Sequence, residues 1–189
     1  MPFPKGTHQL GPDGATLTIR TGRAGAAAKA GHDLLLEATS WEATLEVGDD
    51  AATTSAELSV DGTSLRVRRG EGGIKSLSDA DKREIEGTID EEVLKRTAVR
   101  FSSNQASGGA GDERIHFDGD LSIRDTTKPI SFELASDDEG SVGGSTTVRQ
   151  STWGVKPYSA MLGALKVANE VEVTIDGKLR NEINPEEKT

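Results

Sequence analysis

Apolar and polar positions alternate along most of this chain, and Arg114–Leu134 shows the pattern most cleanly. Ile115, Phe117, Leu121 and Ile123 share one period-2 face with Gly119 between them, and Ile130, Phe132 and Leu134 repeat it. Successive strand side chains point to opposite faces, so this predicts two strands, each with one apolar and one polar face. Asp125, Thr126 and Thr127 supply turn chemistry. Pro129 stands where a strand begins and a missing N–H is tolerated. Similar alternation predicts strands over Ala15–Arg23, with Leu17 and Ile19 on one face, and over Leu34–Val47, with Trp41, Ala43, Leu45 and Val47. Further strands are predicted over Ala56–Val60, with Leu58 and Val60, over Ser64–Arg68, and over Thr97–Ala106, with Val99 and Phe101. Val142–Ser151 and Val167–Arg180, with Val171, Val173 and Ile175, complete the set.

The period changes over Ser78–Arg96. Ile85, Ile89, Val93 and Leu94 recur at helical spacing, Ser78 followed by Asp81 is an N-terminal capping signature, and Lys95 and Arg96 suit a C-terminus. Gly87 predicts a weak point in the middle. About eight sequence-adjacent strands with one inserted helix (about 78–96) predict a mainly β fold, an antiparallel up-and-down barrel. Its interior is either filled by side chains or open to one small ligand. Residues 1–180 read as one barrel domain and 181–189 as a polar tail.

Composition narrows the function. Only 33% of the 189 residues are hydrophobic and 4% aromatic, lean for a solid core but consistent with polar outer strand faces. A net charge of −10 without a basic patch argues against nucleic acid and against anionic lipid surfaces. The one basic cluster, Arg66–Arg69, reads as a solvated strand end. No stretch has the length and apolar character of a bilayer span, so no membrane insertion is expected. Met1–Gly6 carries no apolar run after a basic start, which predicts a cytoplasmic protein. The chain has no cysteine, so disulfides and thiolate chemistry are excluded.

Catalytic motifs are absent: no GxSxG elbow, no phosphate-binding loop, no HExxH. Of the three histidines, His8 reads as part of a mobile end and His116 as solvent-facing. His32, opening a strand, is read either as a turn-capping side chain bonded to backbone or as a polar contact at the barrel mouth or floor. As an acid–base pair with Asp33 it is poorly placed, because adjacent strand residues face opposite ways. Trp153–Leu165 concentrates Trp153, Tyr158, Met161, Leu162 and Leu165 outside any strand, which suits a plug in the barrel or a lid over an apolar ligand. No enzyme, metal or cofactor is expected.

Several segments together resemble a known family. Gly119, Leu121, Ile123, Thr127, Lys128 and Pro129 match the pattern G-x-L-[ST]-I-x-x-x-T-[KR]-P of the YceI-like, polyisoprenoid-binding proteins. Ala30–Leu34 resembles the family's early histidine, Arg100–Ser103 its F-x-S strand, and Trp153–Val155 with Val167–Leu179 its final loop and strand. The likeness covers roughly residues 7–180. It implies a lipocalin-like barrel that binds a polyisoprenoid, such as an isoprenoid quinone. Many relatives are exported, which this amino terminus does not match, and many form dimers, which exposed strands here allow.

The expectation is therefore non-covalent binding of a long-chain apolar amphiphile (polyisoprenoid, isoprenoid quinone or fatty-acid derivative), for transport, storage or sequestration. The alternative is a filled barrel acting as a structural or protein-interaction module. Burying about ten carbons at ~0.8 kcal/mol each gives ~8 kcal/mol, the micromolar scale, with no charged anchor. The expected lining is Leu17, Ile19, Trp41, Leu45, Leu58, Val60, Val99, Phe101, Ile115, Phe117, Phe132 and Val173. Trp153, Tyr158, Met161 and Leu165 are expected at one end, and His32 as a polar contact. Phe117→Asp is expected to abolish uptake.

Overall fold

A computed structural model describes residues 2–179. The strands are β1 (Gly6–Leu10), β2 (Ala15–Ala24), β3 (His32–Ala38), β4 (Trp41–Val47), β5 (Ser55–Val60) and β6 (Leu65–Gly72), then β7 (Val99–Ser107), β8 (Arg114–Ile123), β9 (Thr126–Ser136), β10 (Ser141–Arg149), β11 (Ser159–Ala160) and β12 (Leu165–Lys178). One helix, α1 (Asp79–Thr88), lies between β6 and β7. The polar tail anticipated at 181–189 lies outside the described residues.

Among the described residues twelve segments stand where about eight strands were expected, because three long strands are each broken once and the two-residue β11 pairs with β12 off the main path. β1 and β2 form one antiparallel partner of β3 and β4, and these in turn pair with β5 and β6: Leu10 opposes Ala43, Thr18 opposes Glu37, Ala38 opposes Leu65 and Trp41 opposes Val60. The breaks fall side by side and are stitched together. Thr39 N–H donates to Ser64 O at 3.1 Å and Asp61 N–H to Ser40 O at 3.0 Å, while Ala15 N–H donates to Gly11 O at 2.9 Å. Merged across these breaks, the ladders run in a circuit of eight staves, from β5 through β7, β8, β9, β10 and β12 to β2. The molecule is an antiparallel up-and-down barrel.

The two ends differ. At one end Phe3, Ile115, Phe117 and Val142 are at most 1% exposed and pack solidly. Phe3 N–H donates to Asp112 O and its carbonyl accepts from Gly111 N–H, so the chain start corks the barrel. This corrects the reading of His8 as part of a mobile end: it lies in β1, 1% exposed, with Nε2 2.9 Å from Pro4 O. Five residues with a buried histidine give too short an alternation to announce a strand.

At the other end the circuit is incomplete. β5 pairs with β7, but β6, past its break, pairs only with β3. Helix α1 lies against β6 there, and Glu86 Oε1 accepts the Val67 N–H of the free β6 edge at 2.8 Å. The capping box predicted at Ser78 and Asp81 forms in both directions. The helix does not break at Gly87. It continues and widens into a single π-turn over Ile89–Val93, ending where Lys95 and Arg96 take left-handed backbone.

The Ser78 N–H, then its hydroxyl, hold the Asp81 carboxyl below the ordinary aspartate value of 3.8, with Lys75 adding to the effect. A depressed folded-state pKa contributes stability that is complete above the unfolded value and lost as pH falls through the folded one. Asp61, Asp118 and Asp137 shift the same way, chiefly through the Thr63 N–H, the Ser131 hydroxyl and the Ser141 N–H. Helical circular dichroism is therefore expected to hold from neutral pH down to about pH 4 and weaken only below it. A loss already complete at about pH 6 would contradict the capping role.

Candidate functional site

The barrel interior is not fully packed. Between the corked end and α1 lies a cavity of about 610 Å³, walled almost entirely by aliphatic and aromatic side chains. The strand period delivers them: Leu17 and Ile19 from β2, Leu45 from β4, Leu58 and Val60 from β5, Val99 and Phe101 from β7, Phe132 from β9 and Val173 from β12 all border it. Tyr158 and Leu165 border it from the segment joining β10 to β12, and His32 from the start of β3.

Four of the anticipated lining residues lie elsewhere. Ile115 and Phe117 are 0% exposed in the solid end. Trp41 is buried beside the strand breaks, and Trp153 is buried with its Nε1–H donating to Leu121 O at 2.7 Å. All four belong to the packed core and none borders the cavity. The Met161 side chain lies outside the described residues. The Trp153–Leu165 segment thus divides its work. Trp153 and Val155 fill core, while Tyr158 and Leu162 are exposed near the open end.

Sequence reasoning passed over part of the wall. Leu34 and Leu36 of β3 border the cavity, but the run Leu34-Leu35-Leu36 hides the alternation. Ile85, Ile89, Val93 and Leu94 were recognised as one helix face, and that face covers the cavity where β6 and β7 part. Arg23 was also missed, although it continues the parity of Leu17 and Ile19 along β2.

The polar groups gather at the helix end. Arg23 donates to Gly31 O at 2.9 Å and lies 3.5 Å from the Asp33 carboxylate. His32 Nε2 is 2.7 Å from Lys75 O, and since a carbonyl only accepts, Nε2 carries the proton. His32 is thus both bonded to backbone and placed at the mouth, and Asp33 turns to Arg23 instead of to the imidazole. Both long side chains lie across the Gly72–Gly73 turn, where positive φ and the absence of Cβ leave room for them. Among the described residues no three His, Asp or Glu side chains cluster as metal ligands, and no helix is long and apolar enough to cross a membrane.

Inside the barrel the cavity borders an aromatic cluster. Phe132 sits edge-on to Phe101, centroids 5.0 Å apart, and 5.6 Å from Phe117, its register partner. Gly119 makes this arrangement possible: a Cβ there would stand 2.5 Å from Phe101 Cζ and also strike the Ser102 carbonyl. Gly119→Ala is expected to cost about 1–3 kcal/mol through this overpacking, read as a lower urea midpoint. An unchanged midpoint would show that the ring can move aside freely.

None of the curated proteins matches this chain. Solved structures match its fold. BcnA of Burkholderia cenocepacia is 12% identical with a TM-score of 0.60, over 86% of this chain and 94% of that one. The YceI protein of Campylobacter jejuni is 11% identical with a TM-score of 0.53, over 78% and 85%. Residues 28–179 match the family model described as YceI-like domain, and the chain belongs to the YceI-like family.

Proposed function

We propose that this protein binds one long-chain apolar amphiphile, a polyisoprenoid, isoprenoid quinone or fatty-acid derivative, non-covalently within the barrel, for transport, storage or sequestration. The observation that carries this reading is the open apolar interior. A filled barrel acting only as an interaction module has no use for about 610 Å³ of unfilled space walled by aliphatic side chains. Apolar cavities of this kind readily accept apolar guests. Family membership supports the same class of ligand.

In this reading the chain lies along Leu17, Ile19, Leu58, Phe101, Phe132 and Val173, while the polar head stays near Arg23, His32 and Tyr158. Apolar burial supplies the affinity, and the few polar groups at the mouth orient the ligand. His32 has a bonding role here, not a catalytic one.

The test is native mass spectrometry of protein purified without detergent, followed by solvent extraction and mass analysis of what is released. One prenyl or acyl species per chain is the expected result. A ligand-free mass, with no uptake of added isoprenoid quinones or fatty acids, would overturn the reading.

A further inference from the structure

We propose that the mouth of the barrel docks on the surface of a bilayer containing anionic phospholipid, with Ile74 and Leu162 as its apolar contacts. The docking stands on the surface itself; its use, exchange of ligand with the bilayer, rests on the reading of the cavity as an apolar-chain site.

Three loops flank the mouth: residues 24–31 after β2, 73–78 after β6, and 154–166 leading into β12. They are tied into one surface. Ala27 N–H donates to Ala164 O at 2.8 Å, and His32, just past the first loop, bonds Lys75 O in the second. Each loop turns a side chain inward: Ala30, Leu77 and Tyr158 border the cavity. The tips go the other way. Ile74 is 85% exposed and Leu162 fully exposed, and neither borders the cavity. Among the described residues the exposed large hydrophobics are Ile74, Tyr158 and Leu162, and all three stand at this mouth. One exposed leucine is ordinary, but three such residues gathered at one opening mark a contact surface. Leu162 also takes left-handed backbone, φ 55° and ψ 32°, which a bulky side chain disfavours. Strain and exposure at one residue fit a contact made outside the chain.

The charge of the loops points to the partner. They carry Lys29, Lys75, Lys156 and Lys166, all exposed, and no Asp or Glu, in a chain with 22 basic and 32 acidic residues. Lys75 shares its charge with Asp81 at 3.5 Å. The net charge of −10 argues against anionic lipid for the molecule as a whole, but around these apolar tips the sign is reversed. Apolar side chains ringed by lysines suit the boundary between headgroups and acyl chains. A second copy of this chain would set lysines against lysines, which disfavours self-association through this face. No described helix is long and apolar enough to cross a membrane, so the contact is with the surface. An apolar chain leaving the bilayer through a docked mouth enters the cavity without passing through water.

The experiment is flotation of the full-length protein with vesicles of phosphatidylcholine alone and of an equal mixture with phosphatidylglycerol. Two variants are compared. Ile74→Ser with Leu162→Asn removes the apolar tips, and asparagine accepts left-handed backbone. Lys29→Gln with Lys156→Gln removes charge from residues that do not border the cavity. The unaltered protein is expected to float with the mixed vesicles and far less with phosphatidylcholine alone. Affinity for the mixed vesicles should fall about tenfold or more in the first variant and roughly twentyfold in the second. Binding of a fluorescent fatty acid offered in solution should stay unchanged in both. No flotation, equal flotation with both kinds of vesicle, or flotation that the variants retain overturns the docking. A dimer abolished by Ile74→Ser with Leu162→Asn, in place of vesicle binding, assigns the face to a second copy and overturns it too. Fatty-acid binding in solution reports on the cavity separately, so failure of the docking and failure of the cavity reading are distinguished.

Discussion

Phe117→Ala is expected to lower the unfolding free energy by about 3–5 kcal/mol. Its ring is 0% exposed, packs on Phe132 at 5.6 Å and lies directly above the closed end of the barrel. Truncation loses the transfer energy of the ring and leaves a void that the surrounding strands, fixed by their ladders, fill only in part. Against a total stability of about 5–15 kcal/mol for a domain, such a loss is severe. Phe117→Asp goes further, placing a carboxylate where no partner exists, and is expected not to fold at all. That outcome replaces the expectation drawn from alternation alone, in which Phe117→Asp reports on ligand uptake. Urea denaturation of Phe117→Ala is the check. A loss below about 1 kcal/mol would mean that this end of the barrel is far looser than its burial indicates.

Val173→Asp is the corresponding test of the cavity. It is expected to weaken binding of a fluorescent fatty acid by roughly thirtyfold or more, while the protein stays folded. Val173 lies mid-strand on β12 between Ile19 and Thr146, half-buried and bordering the open space. In the empty barrel a carboxylate there retains water. An apolar chain entering the cavity must strip that water, at a cost of about 2 kcal/mol or more, which corresponds to the thirtyfold loss. The stability cost is of another kind, about 1 kcal/mol of strand preference. Thermal unfolding and probe titration together separate the two effects. A folded variant with unchanged affinity would remove Val173 from the binding surface.

The contrast between these two residues shows how far a linear pattern reaches. Phe117 and Val173 satisfy the same rule, an apolar side chain on the inner face of an antiparallel strand. The rule is right for both about direction and silent about what lies opposite. On β8 alone, Ile115 and Phe117 are sealed in core while Leu121 and Ile123, two turns of the same alternation further on, face the cavity. Phe3 and Val142, remote in sequence, close one end, and no alternation within β8 encodes their arrival. Arg23 shows the converse, a charged residue on an inward position, allowed because that strand end opens at the mouth.

What the sequence by itself determined is local and periodic. Alternation placed the strands apart from β1 and β11, the change of period with Ser78 and Asp81 placed the helix, and the pattern around Gly119 and Pro129 pointed to the family. These follow from side-chain direction, capping and turn chemistry, which act over a few residues. The tertiary structure alone decided where long strands break, that α1 covers the gap between β6 and β7, and which part of the inner face is solid and which open. Those outcomes depend on staves far apart in the chain meeting around one circuit. There the space between side chains is a property of the whole barrel and of no single strand.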